Sequence, residues 1–449
     1  MFRSDLQHTG YSFSIAPNTN VSKWIYTTGD QILSSPAEVN GKIYIGSADT
    51  RLYSLNATSG KQIWNYTTGG NVWSSPSVAD GKVFVGSNDN NLYCLNAETG
   101  AKIWSYDTGD VVGPSSAVVD GKVYCGSRIG NVYCLDEAAG TKIWIYSIGT
   151  WVHSSPAVAE GKVYVGCGDG NVYCLNAING SKNWNYQTDA AVFSSPSIAN
   201  GEVFVGSWDG NIYCLNGTTG TLIWKRVTGV SISSSPAVAY GKVYIGSGYY
   251  FDSLGNYKIY CLDAATGANV WSYTTGGVVT SSPAVAAGKV YVGSRDGFFY
   301  CLDAYTGAYV WSYKTGGDVE SSPAIADGKV YVGSLDSKVY CFGSILPTTH
   351  LLLQAGPSQT AYLRGQSVTF SVTALNQLNP RLDATLTLTI NGPRGYTFYD
   401  SQPINVSANS VGEYSFNWII PNVAGTYVIE TNLIPPQLTA YDSQWMKAT

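Results

Sequence analysis

The chain has 449 residues and a net charge of −5, and only 12% of its residues are charged, about half the ~25% usual in soluble domains. It has no cluster of Lys or Arg, so the composition excludes electrostatic capture of nucleic acid or of an anionic membrane surface. Fifty glycines and 34 tyrosines point instead to a turn-rich all-β protein, and no apolar run is long enough for a membrane-spanning helix.

The first ten residues, MFRSDLQHTG, lack the apolar stretch that follows the charged region of a secretory leader. The chain is therefore either cytoplasmic or begins after a processed leader. The first predicted strand surrounds Trp24 (Trp24 to Thr28). From there tryptophan recurs at 24, 64, 104, 144, 184, 224, 271 and 311, a spacing of 40 broken once by 47. Periods near 40 residues mark solenoids and propellers. Each unit reads V-x-S-S-P-A-V-A, G-K-V-Y-V-G-S, N-V-Y-C-L-N-A and x-x-x-W-x-Y-x-T-G, four β-rich runs separated by Gly, Asp-Gly and Thr-Gly turns. That is the pattern of a four-stranded blade. One Ser-Ser segment reads as shifted, Gly113-Pro114-Ser115-Ser116, and one connection, Gly248 to Lys258, is longer by seven residues.

Phase decides how the ring closes. The chain opens with a lone Trp strand and its last unit, Asp318 to Phe342, has three strands and no Trp. One strand from the N-terminus plus three from the end of the array complete an eighth blade, and closure protects the sheet edges. The expected fold class is all-β: an eight-bladed β-propeller over residues 1–343, a Pro-containing linker at 344–349, and a β-sandwich over 350–449. The last segment has no Cys and no 40-residue echo. It alternates apolar and polar residues in runs such as Ser367 to Ala374 and Ala384 to Ile390, and about seven such strands predict a sandwich.

Seven of nine cysteines (94, 134, 174, 214, 261, 301, 341) share one position in successive units, and the other two are Cys125 and Cys167. Packed sheets lie about 10 Å apart and a disulfide needs Cα atoms within about 7 Å, so equivalent cysteines are expected to be small buried hydrophobes. Cys125 and Cys134 flank a turn at Ile129-Gly130 and are the one pair placed to face each other across a hairpin. Spacing and the three histidines (8, 153, 350) match no zinc motif, so no metal or other cofactor is expected.

Eight copies of the unit serve as their own comparison. The residues just before Ser-Ser vary: Leu33, Trp73, Gly113, His153, Phe193, Ser233, Thr280 and Glu320. So do those two places earlier: Gln31, Asn71, Val111, Trp151, Ala191, Ser231, Val278 and Asp318. The first strand of a propeller blade lines the central channel, so these sixteen side chains are expected to ring one mouth. Trp73, Trp151, His153 and Phe193 fall on one arc and Asp318 and Glu320 on another, a candidate recess for a ligand or a partner's segment. The bland reading makes them tolerant loop residues. A second variable set, Thr50, Asn90, Ile129, Gly170, Gly210, Gly297 and Ser337, reads as drift in the outer hairpin turns.

Asn96-Ala-Glu-Thr-Gly-Ala-Lys-Ile-Trp104 and Asp303-Ala-Tyr-Thr-Gly-Ala-Tyr-Val-Trp311 resemble the tryptophan-docking motif of pyrroloquinoline-quinone-like propellers, whose Ala, Gly and Trp pack blade on blade. The lead-in Phe2-Arg3 with His8-Thr9-Gly10-Tyr11-Ser12 resembles the segment before the first blade of that family and implies that Met1 is not the natural start. The resemblance implies one of two functions. Quinoprotein dehydrogenases hold the quinone and calcium in the channel with an Asp, an Arg and commonly a vicinal Cys pair; non-enzymatic members use the blades as a binding scaffold. Here no two cysteines are adjacent, 40-residue units leave little room for a pocket, and Arg128, Arg226 and Arg295 have no evident place in the channel. The expectation is a non-enzymatic scaffold, with no catalytic residue, that captures a protein or glycan partner at the mouth. The alternatives are a quinone-dependent dehydrogenase and an adhesive envelope protein that self-associates through its C-terminal module, which resembles immunoglobulin-like modules of exported proteins but lacks their disulfide. Six N-x-[ST] sequons (Asn20, Asn56, Asn65, Asn179, Asn216, Asn405) suit an extracellular or cell-surface location.

Overall fold

The computed structural model describes residues 5, 7–12, 14, 16–248 and 257–343, and seven strands at 349–354, 367–376, 382–391, 397–406, 410–419, 425–434 and 440–448. Phe2-Arg3, most of the enlarged 248–258 connection and residues 344–348 of the expected linker lie outside the described residues. The chain divides into two compact units, 1–344 and 345–449.

In the first unit the four runs of each repeat form four antiparallel strands, and eight such sheets are present. The first blade comprises Ala37–Val39, Lys42–Gly46, Arg51–Asn56 and Gln62–Thr67, and the next six follow the same order. The eighth comprises Ala324–Ala326, Lys329–Gly333 and Lys338–Gly343, completed by the N-terminal strand Ser22–Thr27. Trp24 pairs with Cys341 and Tyr26 with Val339, so the ends of the array are stitched together as the phase of the repeat predicted. The innermost hairpin turns explain themselves locally. Asp120 and Gly121 both take positive φ, 51° and 69°, the two-residue type I′ geometry whose twist matches that of the flanking strands.

Blades join through two layers of contact. On the outside every repeat Trp but Trp311 lies on a glycine of the following blade: a Cβ on Gly100 would sit 2.7 Å from the Trp64 ring, and Gly100 also has φ +71°. The indole N–H of Trp64 donates to Ala97 O at 3.1 Å, and the other tryptophans repeat both contacts, as with Trp144 on Gly180 and Ala177, except Trp311, which packs on Phe342 at 5.7 Å and whose indole N–H has no partner among the described residues. On the inside the second Ser of each Ser-Ser pair closes a circle. The Ser35 N–H donates to Ser75 Oγ, Ser75 to Ser115, Ser115 to Ser155, and so on through Ser195, Ser235, Ser282 and Ser322 back to Ser35, all at 2.9–3.1 Å. These amides point away from their own sheets, and an unpaired buried N–H is costly; a serine at this place in all eight blades pairs every one. The first Ser accepts within its blade, as where Ser154 Oγ accepts the Gly166 N–H at 3.0 Å, and the hydroxyls of Ser74, Ser234 and Ser281 also donate to a carbonyl of the next blade at 3.0–3.2 Å.

The third blade corrects one reading. Ser115 keeps its place in the circle, so the Gly113 to Ser116 segment is not shifted; Pro114 simply stands where other blades have the first Ser. The cysteine pair is corrected too. Cys125 stands opposite Tyr133 and Cys134 opposite Tyr124, and with side chains alternating along a strand the two thiols emerge on opposite faces of the sheet. Accordingly they belong to different inter-blade cores. All nine cysteines are buried and free.

In the second unit the described strands form two antiparallel sheets, one of Thr349–Gln354, Ser367–Asn376 and Ser410–Ile419, the other of Thr397–Val406, Leu382–Asn391, Gly425–Ile434 and Ala440–Ala448.

Candidate functional site

The mouth of the propeller is built by alternation. Between the two variable residues before each serine pair stands an aliphatic one: Ile32, Val72, Val112, Val152, Val192, Ile232, Val279 and Val319, each at most 1% exposed. It fills the space left by the glycine that ends the second strand of the preceding blade. A Cβ on Gly166 would lie 2.5 Å from Val192 Cγ1 and 2.6 Å from its carbonyl oxygen. Because this middle residue carries the packing, its two neighbours are released from it. Trp73, Trp151 and His153 are exposed, and Phe193, Asp318 and Glu320 are partly exposed.

A second ring was missed in the sequence. The residue after each Gly-Ser or Gly-Cys, namely Ala48, Asn88, Arg128, Gly168, Trp208, Gly248, Arg295 and Leu335, donates its N–H to the carbonyl of Gln31, Asn71, Val111, Trp151, Ala191, Ser231, Val278 and Asp318 respectively, at 2.8–2.9 Å. The start of the turn between the second and third strands therefore adjoins the mouth. The signal was available, since this position runs A, N, R, G, W, G, R, L through the copies. The turn column itself also needs correcting. In the third blade Gly130, with φ 92°, aligns with Thr50 and Asn90. Ile129 replaces the Asp whose carboxylate elsewhere accepts a Tyr hydroxyl, as Asp169 does from Tyr173 at 2.6 Å. Tyr133 turns instead to Thr108 O at 2.7 Å.

The two rings together make two arcs. The first runs over the third to sixth blades. The Arg128 guanidinium carbon lies 5.0 Å from the centre of the Trp151 ring, a cation–π geometry. Trp151 meets His153 edge-on at 5.8 Å, His153 lies 4.7 Å from Phe193, and Phe193 meets Trp208 at 4.3 Å. The chain of rings ends where Trp208 Nε1 donates to Ser233 Oγ at 2.9 Å. His153 is packed between rings while keeping a face to solvent. That partial desolvation, and next the neighbouring Arg128 charge, hold its pKa below the ordinary 6.5 and keep the imidazole neutral. Trp73 is 43% exposed and stands apart, with Gly113 between it and His153 in the ring; among the described residues it makes no aromatic contact.

The second arc straddles the seventh and eighth blades. Arg295 Nε lies 3.0 Å from Asp318 Oδ2 and 3.1 Å from Glu320 Oε1, so one guanidinium serves two carboxylates and the group keeps a net negative charge. Burial raises the Glu320 pKa first, Arg295 opposes that, and Asp318 adds to it. Thr280, preceding Glu320 in the ring, has a buried hydroxyl with no hydrogen-bond partner among the described residues. The seam between the third and fourth blades and that between the seventh and eighth are four blades apart in a ring of eight. The cation-capped aromatic arc therefore faces the acidic one across the mouth. The expectation that Arg128 and Arg295 have no place here is overturned: both come from the second ring, whose position depends on the turn beside the mouth. Arg226 lies on an outer strand, opposite Ile212.

The family model described as outer membrane protein assembly factor BamB matches residues 14–150, 128–252 and 255–346, covering the whole repeat array. The chain belongs to this family of pyrroloquinoline-quinone-like propellers. Among solved structures it is similar to BamB from Moraxella catarrhalis (17% identity, 72% of this chain and 98% of that one, TM-score 0.62). It is also similar to a europium-containing methanol dehydrogenase (18% identity, 74% and 90%, TM-score 0.63) and to the computationally designed protein Ika8 (18% identity, 72% and 99%, TM-score 0.64). At these identities the likeness shows the fold alone. No curated protein sequence matches the chain significantly.

Proposed function

We propose that this BamB-family chain is a non-catalytic scaffold of the cell envelope or cell surface that captures a protein or glycan partner at the propeller mouth. The observation that carries the reading is the opposition of the two arcs, in residues that the eight-fold framework does not use. Trp151, His153 and Phe193, extended by Trp208, offer an apolar stacking surface, and Asp318 and Glu320 offer an acidic one, the combination that marks binding recesses. Trp73 provides a separate exposed ring. Membership of a family described by an outer-membrane assembly factor supports an envelope role. Among the described residues no helix is long and apolar enough to cross a membrane. The C-terminal unit fits an immunoglobulin-like spacer or self-association module, supported by its two antiparallel sheets.

The dehydrogenase relatives supply the second reading, since Arg295 with Asp318 is the kind of Arg–Asp convergence that it requires. The residues fit the quinone poorly. It is a tricarboxylate, and Arg295 is already divided between two carboxylates. Among the described residues, no three His, Cys, Asp or Glu side chains are grouped to hold a metal ion. The test is to add pyrroloquinoline quinone and calcium to the full chain and follow quinone absorbance and dye-linked alcohol oxidation. The scaffold reading expects neither saturable uptake nor dye reduction; both together overturn it.

A further inference from the structure

The N-terminal segment shows what the inner edges of the blades can hold. In each inner hairpin the middle residue of the short strand, such as Val118 opposite Val123, falls between hydrogen-bonded pairs, so its N–H and C=O face the open edge of the sheet. Residues 7–14 use these groups in four successive blades. The Ile198 N–H donates to Gln7 O at 2.8 Å, Val238 to Thr9 O at 2.7 Å and Val285 to Gly10 O at 2.8 Å, and Ser12 N–H donates to Val285 O at 2.8 Å. Ser12 Oγ then reaches Ile325 O at 3.0 Å, and Ser14 Oγ accepts the Gly328 N–H at 3.2 Å. The start of this strap is marked in the fifth blade by Ser197, whose hydroxyl donates to His8 O at 2.7 Å.

The other half of the circle presents the same edge without a strap. Among the described residues nothing pairs with the N–H groups of Val78, Val118 and Val158, which are the counterparts of Ile198, Val238 and Val285. Of the eight inner strands only two begin with Ser, at Ser77 and Ser197; the other six begin with Ala. The second blade thus repeats the serine and the open amide found where the strap starts, three blades before it; the Ser77 hydroxyl donates to Ser116 O of the third blade, as Ser197 also reaches Pro236 O of the sixth, so the amides are what the groove offers. Only the first blade breaks the apolar pattern, with Glu38.

We propose that the inner edges of the second, third and fourth blades, Ser77-Val78, Val118 and Val158, form a docking groove for an extended segment of another polypeptide. That segment is uncharged and largely polar in the manner of Gln7 to Ser12, and it pairs its carbonyls with the three amides as the strap does in the next three blades. Open strand edges take extended backbone, since main-chain hydrogen bonds supply the affinity. The groove is continuous with the strap's own interface and lies toward the opposite end of the inner strands from the mouth, so it stands independently of the function proposed there.

The test adds a labelled synthetic peptide of residues 5–14 to the intact chain. Binding should saturate at one peptide per chain, and hydrogen exchange should slow at least tenfold at Val78, Val118 and Val158, while Ile198, Val238 and Val285 are already protected before it is added. Val78→Pro removes one donor without breaking a ladder bond and should weaken the peptide about tenfold, the value of one hydrogen bond. Absence of saturable binding at millimolar peptide overturns the proposal. So does binding that is lost in Val238→Pro but kept in Val78→Pro, because the peptide is then displacing the strap. Exchange on the unmodified chain decides the matter if a proline variant does not fold.

Discussion

The circle of serines and the mouth beside it are built from adjacent residues and obey opposite rules. From Ser154 to Gly166 the fourth blade repeats its siblings, because its framework positions have partners in the next copy: Ser155 in the serine circle, Gly166 under Val192. Two residues earlier the chain is free to differ, and it places Trp151 and His153. The contrast teaches that variation in a repeat array is informative only beside positions whose packing is accounted for. Val152, buried between the two, is what turns its neighbours outward.

Substitutions can break this comparison, and the framework should respond most. Gly166→Val drives a branched side chain into the Val192 carbonyl and should cost at least ~3 kcal/mol or abolish folding, read from the denaturant midpoint. Arg295→Met strands Asp318 and Glu320 together. The loss should be about 1–3 kcal/mol, on the low side for a buried pair because the Asp318 side chain is 35% exposed. The sign with pH follows from Glu320. Its folded pKa is raised, so its charge opposes folding at neutral pH, and that penalty is relieved as pH falls through the raised value. The deficit of Arg295→Met should accordingly narrow on acidification below neutrality, measured as the difference in midpoint from wild type.

Smaller effects sharpen the contrast. Ser155→Ala leaves the Ser115 N–H unpaired and should cost about 1–2 kcal/mol without altering the mouth. Trp151→Ala, at a ring 48% exposed, should change stability by less than ~0.5 kcal/mol. It should nonetheless weaken tenfold or more any oligosaccharide or polypeptide found to saturate the mouth. The same variant should move the His153 pKa upward toward 6.5 as desolvation is relieved, followed by imidazole resonances in an NMR titration; an unchanged value would disconnect the two rings.

Much of the fold was legible because a propeller writes its contacts eight times. The Trp period, the Asp-Gly hairpins and the lone Trp strand at the start determined blade number, strand order and the closure through Trp24 and Cys341, each a consequence of local turn chemistry and periodicity. The strands of the C-terminal unit were legible from period-two alternation. The site was only half legible. Asp318 and Glu320 could be found in the variable slot, but Arg295, Arg128 and Trp208 sit 15 to 25 residues from the residues they meet. Their place rests on a backbone hydrogen bond between two loops that no linear pattern displays.

Register decided the rest. A shift of one residue puts Cys125 and Cys134 on opposite faces of one sheet, although their spacing around the turn is symmetric. Ser115 kept the serine circle intact where the letters suggested a slip. By itself the sequence determined which residues repeat, and therefore what packs. Only the tertiary structure decided which of the non-repeating residues meet, because closing eight blades into a ring brings together turns from neighbouring blades that are distant along the chain, and sets the aromatic and acidic arcs on opposite sides.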